Sequence, residues 1–175
     1  MKPSYQESVE GLPIVSIGLP AFNNENTIED AIQSIINQSF QNWELIISDN
    51  NSSDNTEKII KKLISLDSRI SFYKQKENTG MYANFEFVLT KAKGKYFHWL
   101  GSDDSRSVNF LDDNISYLEN NSDFVASCST KYYGSIEKHQ KNNINFSMDQ
   151  TLTHRRISCL LSNAWQCHSI YYSVM

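Results

Sequence analysis

Lys95-Tyr96-Phe97-His98-Trp99-Leu100-Gly101-Ser102-Asp103-Asp104 is an aromatic, apolar run that stops at a glycine and then presents two adjacent carboxylates. The run has the composition of a strand, and in a sheet of parallel type the loop just past a strand's carboxyl end is where ligands are held. Adjacent aspartates in such a loop repel one another unless a positive charge sits between them. Hard oxygen ligands of this kind suit Mg²⁺ or Mn²⁺ carrying a phosphorylated substrate. The stretch therefore reads as a candidate metal-diphosphate site. Glycine, serine and aspartate are also ordinary turn residues, so the competing reading is a plain surface turn, and the rest of the chain has to decide.

Upstream, Ile14-Val15-Ser16-Ile17-Gly18-Leu19, closed by Pro20, predicts a buried first strand. The polar loop Ala21 to Asn26 leads into a helix on which Ile28, Ala31, Ile32, Ile35 and Ile36 form one apolar stripe, ending near Gln38. Trp43 to Ser48 predicts a second strand, followed by Asp49-Asn50-Asn51-Ser52-Ser53-Asp54-Asn55-Thr56, residues that cap helices and bond their own backbone. Ile59, Ile60, Leu63 and Ile64 mark the next helix, opened by Ser53 with Glu57 in its first turn, and Ile70 to Tyr73 a third strand. The loop Gln75 to Gly80 feeds a helix whose stripe is Met81, Phe85, Val88 and Ala92, with Gly94 placed to end it. Beyond the acidic pair, Phe110, Leu111, Ile115 and Leu118 predict a further helix and Phe124 to Cys128 a further strand.

Strand and helix thus alternate, the pattern of an α/β fold whose mainly parallel sheet is covered by helices on both faces. Lys131 to Asp149 is rich in asparagine, lysine and glutamine and reads as a long loop or flap. No linker divides the chain, so residues 1–175 are expected to form one domain.

The bulk numbers exclude several classes. A net charge of −4 leaves no electrostatic footprint for nucleic acid. No apolar run reaches bilayer length, and the start lacks the basic head and apolar core of an export signal, so a cytoplasmic location is expected. The cysteines Cys128, Cys159 and Cys167 are odd in number and lack a CxxC pair, which argues against a disulfide frame or a zinc ribbon.

With polar loops at the ends of strands one, two and four, the sequence resembles the GT-A type glycosyltransferases of family 2, which transfer sugars from nucleotide diphosphate donors. Val15 to Asn23 is similar to their first strand and its Pro-x-aromatic-Asn ending. Ser34-Ile35-Ile36-Asn37-Gln38-Ser39-Phe40 and Trp43 to Asn50 resemble the helix end and second strand that follow. Ser52-Ser53-Asp54-Asn55-Thr56, Asn78-x-Gly80, Asn84, Ala92, Gly94 and Leu100 to Asp104 fall in the family's order and spacing over about residues 13 to 130.

The resemblance implies a Rossmann-like GT-A fold and a nucleotide site lined by Pro20, Ala21, Phe22, Glu25, Asp49, Asn50, Asn78, Gly80, Asn84 and Asp103. Asp49 and Asn50 would meet the base, and Asp103 would hold the ribose or share a Mg²⁺ or Mn²⁺ ion with Asp104. It further implies a nucleotide-sugar donor, in the first place a UDP-sugar, and a glycan or lipid-linked acceptor, as in cell-surface polysaccharide synthesis.

Two departures stand out. An amide, Asn50, sits where the family often has a second aspartate, and Gly101 where the commonest acidic motif has its first. The family's general base usually lies in an acidic pair beyond the segment that Ser169 to Met175 resembles, so the base is expected beyond Met175 and the chain is expected to be a shortened transferase. His154, His168, Asp149 and Glu137 have suitable chemistry but no supporting motif.

The alternative is a module that binds nucleotide and metal without turnover. A phosphoacceptor receiver domain, with Lys131 after strand five, is disfavoured because it needs its acidic pair after strand one. A dinucleotide-binding domain is disfavoured because the first loop lacks the glycine fingerprint. Trp165, Tyr171 and Tyr172 offer an apolar surface to residues beyond the segment, to a second copy or to a membrane face, and composition leaves these three open.

Overall fold

The computed structural model describes residues 11–65, 67–121, 126–128 and 169–172. Strand β1 (Val15–Ala21) is buried along its whole length, as a run with apolar cover on both faces requires. Helix α1 (Ile28–Ile36) follows, then β2 (Trp43–Asp49), α2 (Thr56–Ile64), β3 (Ile70–Lys74), α3 (Met81–Thr90), β4 (Tyr96–Trp99), α4 (Phe110–Asn120), β5 (Ala126–Cys128) and β6 (Ser169–Tyr172).

The six strands form one sheet in the order β3-β2-β1-β4-β6-β5. The β1, β2, β3 and β4 strands run parallel. β6 is antiparallel to both β4 and β5. An antiparallel strand inserted between β4 and β5 sets the architecture apart from the all-parallel receiver alternative. Its order of pairing is not written in any local pattern, which is why the alternation of strand and helix did not predict it.

Side-chain alternation along the strands divides the core in two. Val15, Ile17, Leu19, Leu45, Ile47 and Tyr96 face one layer, where they pack with Ile28, Ala31, Ile32 and Ile35 of α1, Ile60 and Leu63 of α2, and Leu111, Ile115 and Leu118 of α4. Ile46 and Phe97 face the other, with Val88 of α3. Each buried aliphatic side chain contributes about 1.5–3 kcal/mol relative to leaving it exposed. Helices thus cover both faces, and the expected α/β class holds. Gly18 lets α3 approach: a Cβ there would lie 2.6 Å from Phe97 Cζ and 2.7 Å from Val88 Cγ2.

Two helix details differ from expectation. On α3, Met81 is 49% exposed and the buried residues are Asn84 and Val88. Helix α2 begins at Thr56 after Asn55, without a side-chain cap bond; Ser53 instead donates its backbone N–H to Asn23 Oδ1. Among the described residues, no helix is long and apolar enough to cross a membrane.

Candidate functional site

The carboxyl ends of β1 and β2 lie side by side, with Ala21 opposite Asp49 and Asp49 opposite Lys74 of β3. The loops that leave them are stitched together. Asn23 N–H donates to Ser52 Oγ at 2.9 Å, and Asn23 Oδ1 accepts from Ser53 N–H at 2.9 Å. Asn24 N–H donates to Thr56 Oγ1 at 2.8 Å, and Glu25 N–H to Asp54 Oδ2 at 3.0 Å. Glu25 Oε2 accepts from both the backbone and the side-chain nitrogen of Asn55, at 3.0 and 2.7 Å.

Asn23 and Asn51 take positive φ, 54° and 63°, a conformation asparagine tolerates better than most residues. Burial pushes the Asp54 carboxyl up, but hydrogen bonds from the Thr56 side chain and from the Thr56 and Glu25 backbones outweigh it. The group titrates below its ordinary range.

Asp49 is fully buried at the tip of β2. Its Oδ1 accepts from Ser52 N–H at 3.0 Å and from the Ser52 hydroxyl, whereas Oδ2 is buried with no hydrogen-bond partner. Buried polar atoms are nearly always paired, and this carboxylate oxygen at a strand's carboxyl end has no partner among the described residues.

Asn50, next along, is 3% exposed and uses its whole amide on the following loop. Nδ2 donates to Asn78 Oδ1 at 2.8 Å and to Gly80 O at 3.2 Å, while Oδ1 accepts from Thr79 N–H at 3.0 Å and Thr79 Oγ1 at 3.2 Å. An amide offers two donors and two acceptor lone pairs, and here all are taken. Gly80, at φ 86°, turns the chain from this loop into α3. The buried Asn84 closes the network: its Nδ2 donates to Ser48 O at 3.0 Å and Ala21 O at 3.4 Å, and its Oδ1 accepts from Ser48 Oγ at 2.6 Å.

The acidic turn joins the same rim. Asn24 Oδ1 accepts from Phe22 N–H at 3.0 Å and from Ser102 Oγ at 2.7 Å, tying the turn after β4 to the loop after β1. Gly101 is where the carboxylates gather. A Cβ built on it would meet Asp103 Oδ1 at 3.0 Å and Asp104 Oδ2 at 3.1 Å, so both carboxylates occupy space that any side chain at 101 would fill. Asp103 is exposed and Asp104 half-buried.

Beside them Arg106 turns inward, its side chain 5% exposed, with NH2 3.6 Å from Asp104 Oδ2. Its Nε donates to Nε2 of the fully buried His98 at 3.0 Å. Burial pushes the guanidinium's pKa down, and Asp104 opposes the shift.

Among the described residues no group of three or more His, Cys, Asp or Glu side chains is placed to hold a metal ion. The donor set that does converge, two carboxylates over one glycine, fits a hard divalent cation completed by phosphate oxygens and water rather than a closed protein cage.

The predicted site residues therefore fall into groups. Pro20 and Ala21 are buried strand backbone, and Phe22 is 44% exposed at the rim. Asp103 and Asp104 present carboxylate oxygens to that rim, Asp49 keeps its unpaired oxygen buried at the end of β2, and Glu25, Asn50, Asn78, Gly80 and Asn84 are engaged with one another or with neighbouring loops. Asn24, His98 and Arg106 were not singled out by sequence. Arg106 lies in a run of small polar residues, and nothing local signals that it is buried. Lys131, Glu137, Asp149, His154, Trp165 and His168 lie outside the described residues.

Residues 16–173 match the family model for glycosyl transferase family 2. The chain is 35% identical over 147 residues to the UDP-Glc:alpha-D-GlcNAc-diphosphoundecaprenol beta-1,3-glucosyltransferase WfgD of Escherichia coli, an alignment covering 82% of this chain and 54% of that protein. Among solved structures it is similar to S. aureus TarS 1-349 in complex with UDP-GlcNAc, with a TM-score of 0.69 and 22% identity over 90% of this chain and 45% of that one. It is also similar to the mannosyltransferase PcManGT from Pyrobaculum calidifontis in complex with GDP-Man and Mn²⁺, with a TM-score of 0.61 and 19% identity over 69% of this chain and 36% of that one. At these identities the structural likeness is one of fold. The chain spans 54% of the length of the Escherichia coli glucosyltransferase and between 30% and 44% of the length of seven other curated relatives it matches.

Proposed function

The chain belongs to glycosyl transferase family 2, and from that premise we propose that the rim formed by β1, β2 and β4 binds a nucleotide diphosphate sugar, in the first place a UDP-sugar. The sugar is transferred to a hydroxyl of a glycan or lipid-linked acceptor. The observation that carries this reading is that the unpaired oxygen of Asp49 and the carboxylates over Gly101 belong to loops tied to one another by direct hydrogen bonds.

Asp49 Oδ2 is a buried acceptor and selects a base that offers an N–H, as the imide of uracil does. Cytosine carries an acceptor where uracil has its N3–H, and its own donor is the exocyclic amine one position away. The exposed ring of Phe22 stands at the same rim for the base to rest on, and Asn50 holds the 78–80 loop as a wall. Asp103 and Asp104 would hold Mg²⁺ or Mn²⁺, which when bound supplies positive charge to the donor's phosphates and to the departing nucleoside diphosphate. The Ser102–Asn24 bond keeps that acidic turn in register with the base-binding loops. The acceptor hydroxyl attacks the anomeric carbon from the side opposite the diphosphate, so the linkage inverts.

The similarity to a glucosyltransferase of a diphosphoundecaprenol-linked sugar supports a lipid-linked acceptor. With it comes work at the cytoplasmic face of a membrane. No described residue is assigned as the general base.

Thermal unfolding tests the reading. UDP with Mn²⁺ is expected to raise the melting temperature and EDTA to remove the gain, with UDP exceeding CDP. Asp49→Asn is expected to weaken UDP binding by about 10- to 100-fold, the worth of a hydrogen bond to a charged group. A gain that survives EDTA, or CDP equal to UDP, goes against the proposal. Transfer and donor-hydrolysis assays on the same sample separate an active transferase from a domain that binds without turnover.

A further inference from the structure

Arg106 sits in the loop between β4 and α4, flanked by the exposed Ser105 and Ser107, yet its own side chain is 5% exposed. The guanidinium is fixed on three sides. Nε donates to His98 Nε2 in β4 at 3.0 Å, NH1 donates to Ser105 O at 3.0 Å, and the guanidinium carbon lies 5.3 Å from the Phe110 ring centroid at the start of α4. Acceptance of that bond by Nε2 puts His98 in the neutral form with its proton on Nδ1. The remaining nitrogen, NH2, is directed to Asp104 Oδ2 at 3.6 Å, an ion-pair distance rather than a hydrogen bond.

A guanidinium is a rigid planar fork, and a buried one with no carboxylate would be strongly unfavourable. Its partner is one of the two acids over Gly101. Those acids repel each other, and Asp104 keeps 41% of its side chain in solvent, so without an anchor it would swing outward.

We propose that Arg106 is a positioning residue for Asp104, a fixed guanidinium that, facing Oδ2, holds the carboxylate over Gly101 beside that of Asp103 and so in place to meet a divalent cation carried by a bound nucleotide diphosphate. The inference rests on the reading of the acidic turn given above and deepens it. His98, through Nε2, anchors the anchor. The role belongs to the fork and not to the charge alone: a lysine ammonium at 106 is a point charge that cannot meet His98, Ser105 and Asp104 together.

The test measures Mn²⁺ binding by the loss of the free-ion electron paramagnetic resonance signal, with UDP present, in the parent, Arg106→Met, Arg106→Lys, Asp104→Asn and the double variant Asp104→Asn with Arg106→Met. Both Arg106 variants are expected to bind Mn²⁺ about 10- to 100-fold more weakly, the usual effect of removing a residue that orients a metal ligand. UDP binding without metal should change less than twofold. In the Asp104→Asn background, Arg106→Met should add nothing.

Mn²⁺ binding in Arg106→Met equal to or tighter than the parent overturns the proposal. So does full recovery in Arg106→Lys, which would mean charge alone suffices, and so does an undiminished effect without Asp104. If Arg106→Met fails to fold by circular dichroism, Arg106→Lys decides alone, weakened binding supporting the role and parent-like binding ending it. A parent that takes up no Mn²⁺ with UDP ends both this inference and the metal-diphosphate reading. A parent that binds while its variants bind equally well ends only the inference.

Discussion

At the tip of β2, Asn50 has every donor and acceptor of its amide matched, and the loops around it are bonded residue to residue. At the tip of β4, one aspartate is exposed, the other is 41% exposed in its side chain, and their nearest fixed charge is 3.6 Å away. The side of the rim proposed for the base is thus built before any ligand arrives, whereas the side proposed for the phosphates consists of two carboxylates, of which Asp104 has Arg106 at ion-pair distance. Prebuilt loops cost stability when disturbed. A loosely held acidic turn costs chiefly binding. The two halves should therefore answer mutation differently, one in stability and the other in ligand response.

The largest effect is expected on the acidic side. Replacing Asp103 and Asp104 together with asparagine should erase the Mn²⁺-dependent stabilisation by UDP, which for a ligand at a hundred times its Kd amounts to about 2.7 kcal/mol. Stability without ligand should move by no more than about 0.5 kcal/mol in Asp103→Asn, at an exposed position, and by more once Asp104→Asn leaves the Arg106 guanidinium without its carboxylate. Thermal denaturation with and without EDTA reads both. An Asp103→Asn variant that unfolds more readily when unliganded would mean that acid is part of the prebuilt half, and the contrast would dissolve.

A smaller effect, of the opposite kind, is expected at Asn50. Aspartate is nearly the same shape but has no N–H, so Asn50→Asp removes the donors to Asn78 Oδ1 and Gly80 O and sets a buried charge against two oxygens. Leaving buried polar atoms unmatched costs about 1–3 kcal/mol each, and urea denaturation should show a loss in that range before any nucleotide is added. Unchanged stability with weaker UDP binding would instead return Asn50 to the role of a direct base contact.

The same division explains what could be read in advance. The apolar periodicity of α1 and α4 pointed at Ile28, Ala31, Ile32, Ile35, Ile36, Phe110, Leu111, Ile115 and Leu118, and all are buried except the half-buried Ile36. The apolar strands fell where expected and so did the acid pair beyond β4, because hydrophobic spacing and turn chemistry are local properties. Asn84 was named only through the family resemblance, as a residue lining the nucleotide site, and Arg106 escaped altogether, because their burial depends on partners distant in sequence or folded back from β4: Ser48 and Ala21 for one, His98 for the other. On α3 the apolar stripe drew attention to Met81, while the residue facing the sheet's end was an amide whose polarity is fully answered there. Likewise β6 pairs between β4 and β5 for reasons of topology that no window of sequence displays.

The smallest effect belongs to the stitch between the loops after β1 and β2, and it is a pH effect. Asp54 accepts from Glu25 N–H and Thr56 N–H, both at 3.0 Å, and its carboxyl titrates below the ordinary aspartate range. A depressed folded value means that the fold prefers the charged form. Its contribution is fully present above the unfolded value, about 3.9, and is lost as pH falls through the lower folded value.

The group is only half-buried at the surface, so screening keeps the contribution to about 0.5 kcal/mol or less. Parent and Asp54→Asn should therefore differ in stability by a small, constant amount from neutral pH down to about 5, and the gap should close progressively below about 4. Urea midpoints across that range measure it. A gap that widens on acidification would mean the protonated form of Asp54 is the one the loops hold, and the stitch would have to rest on Asn23, Asn24 and Glu25 alone.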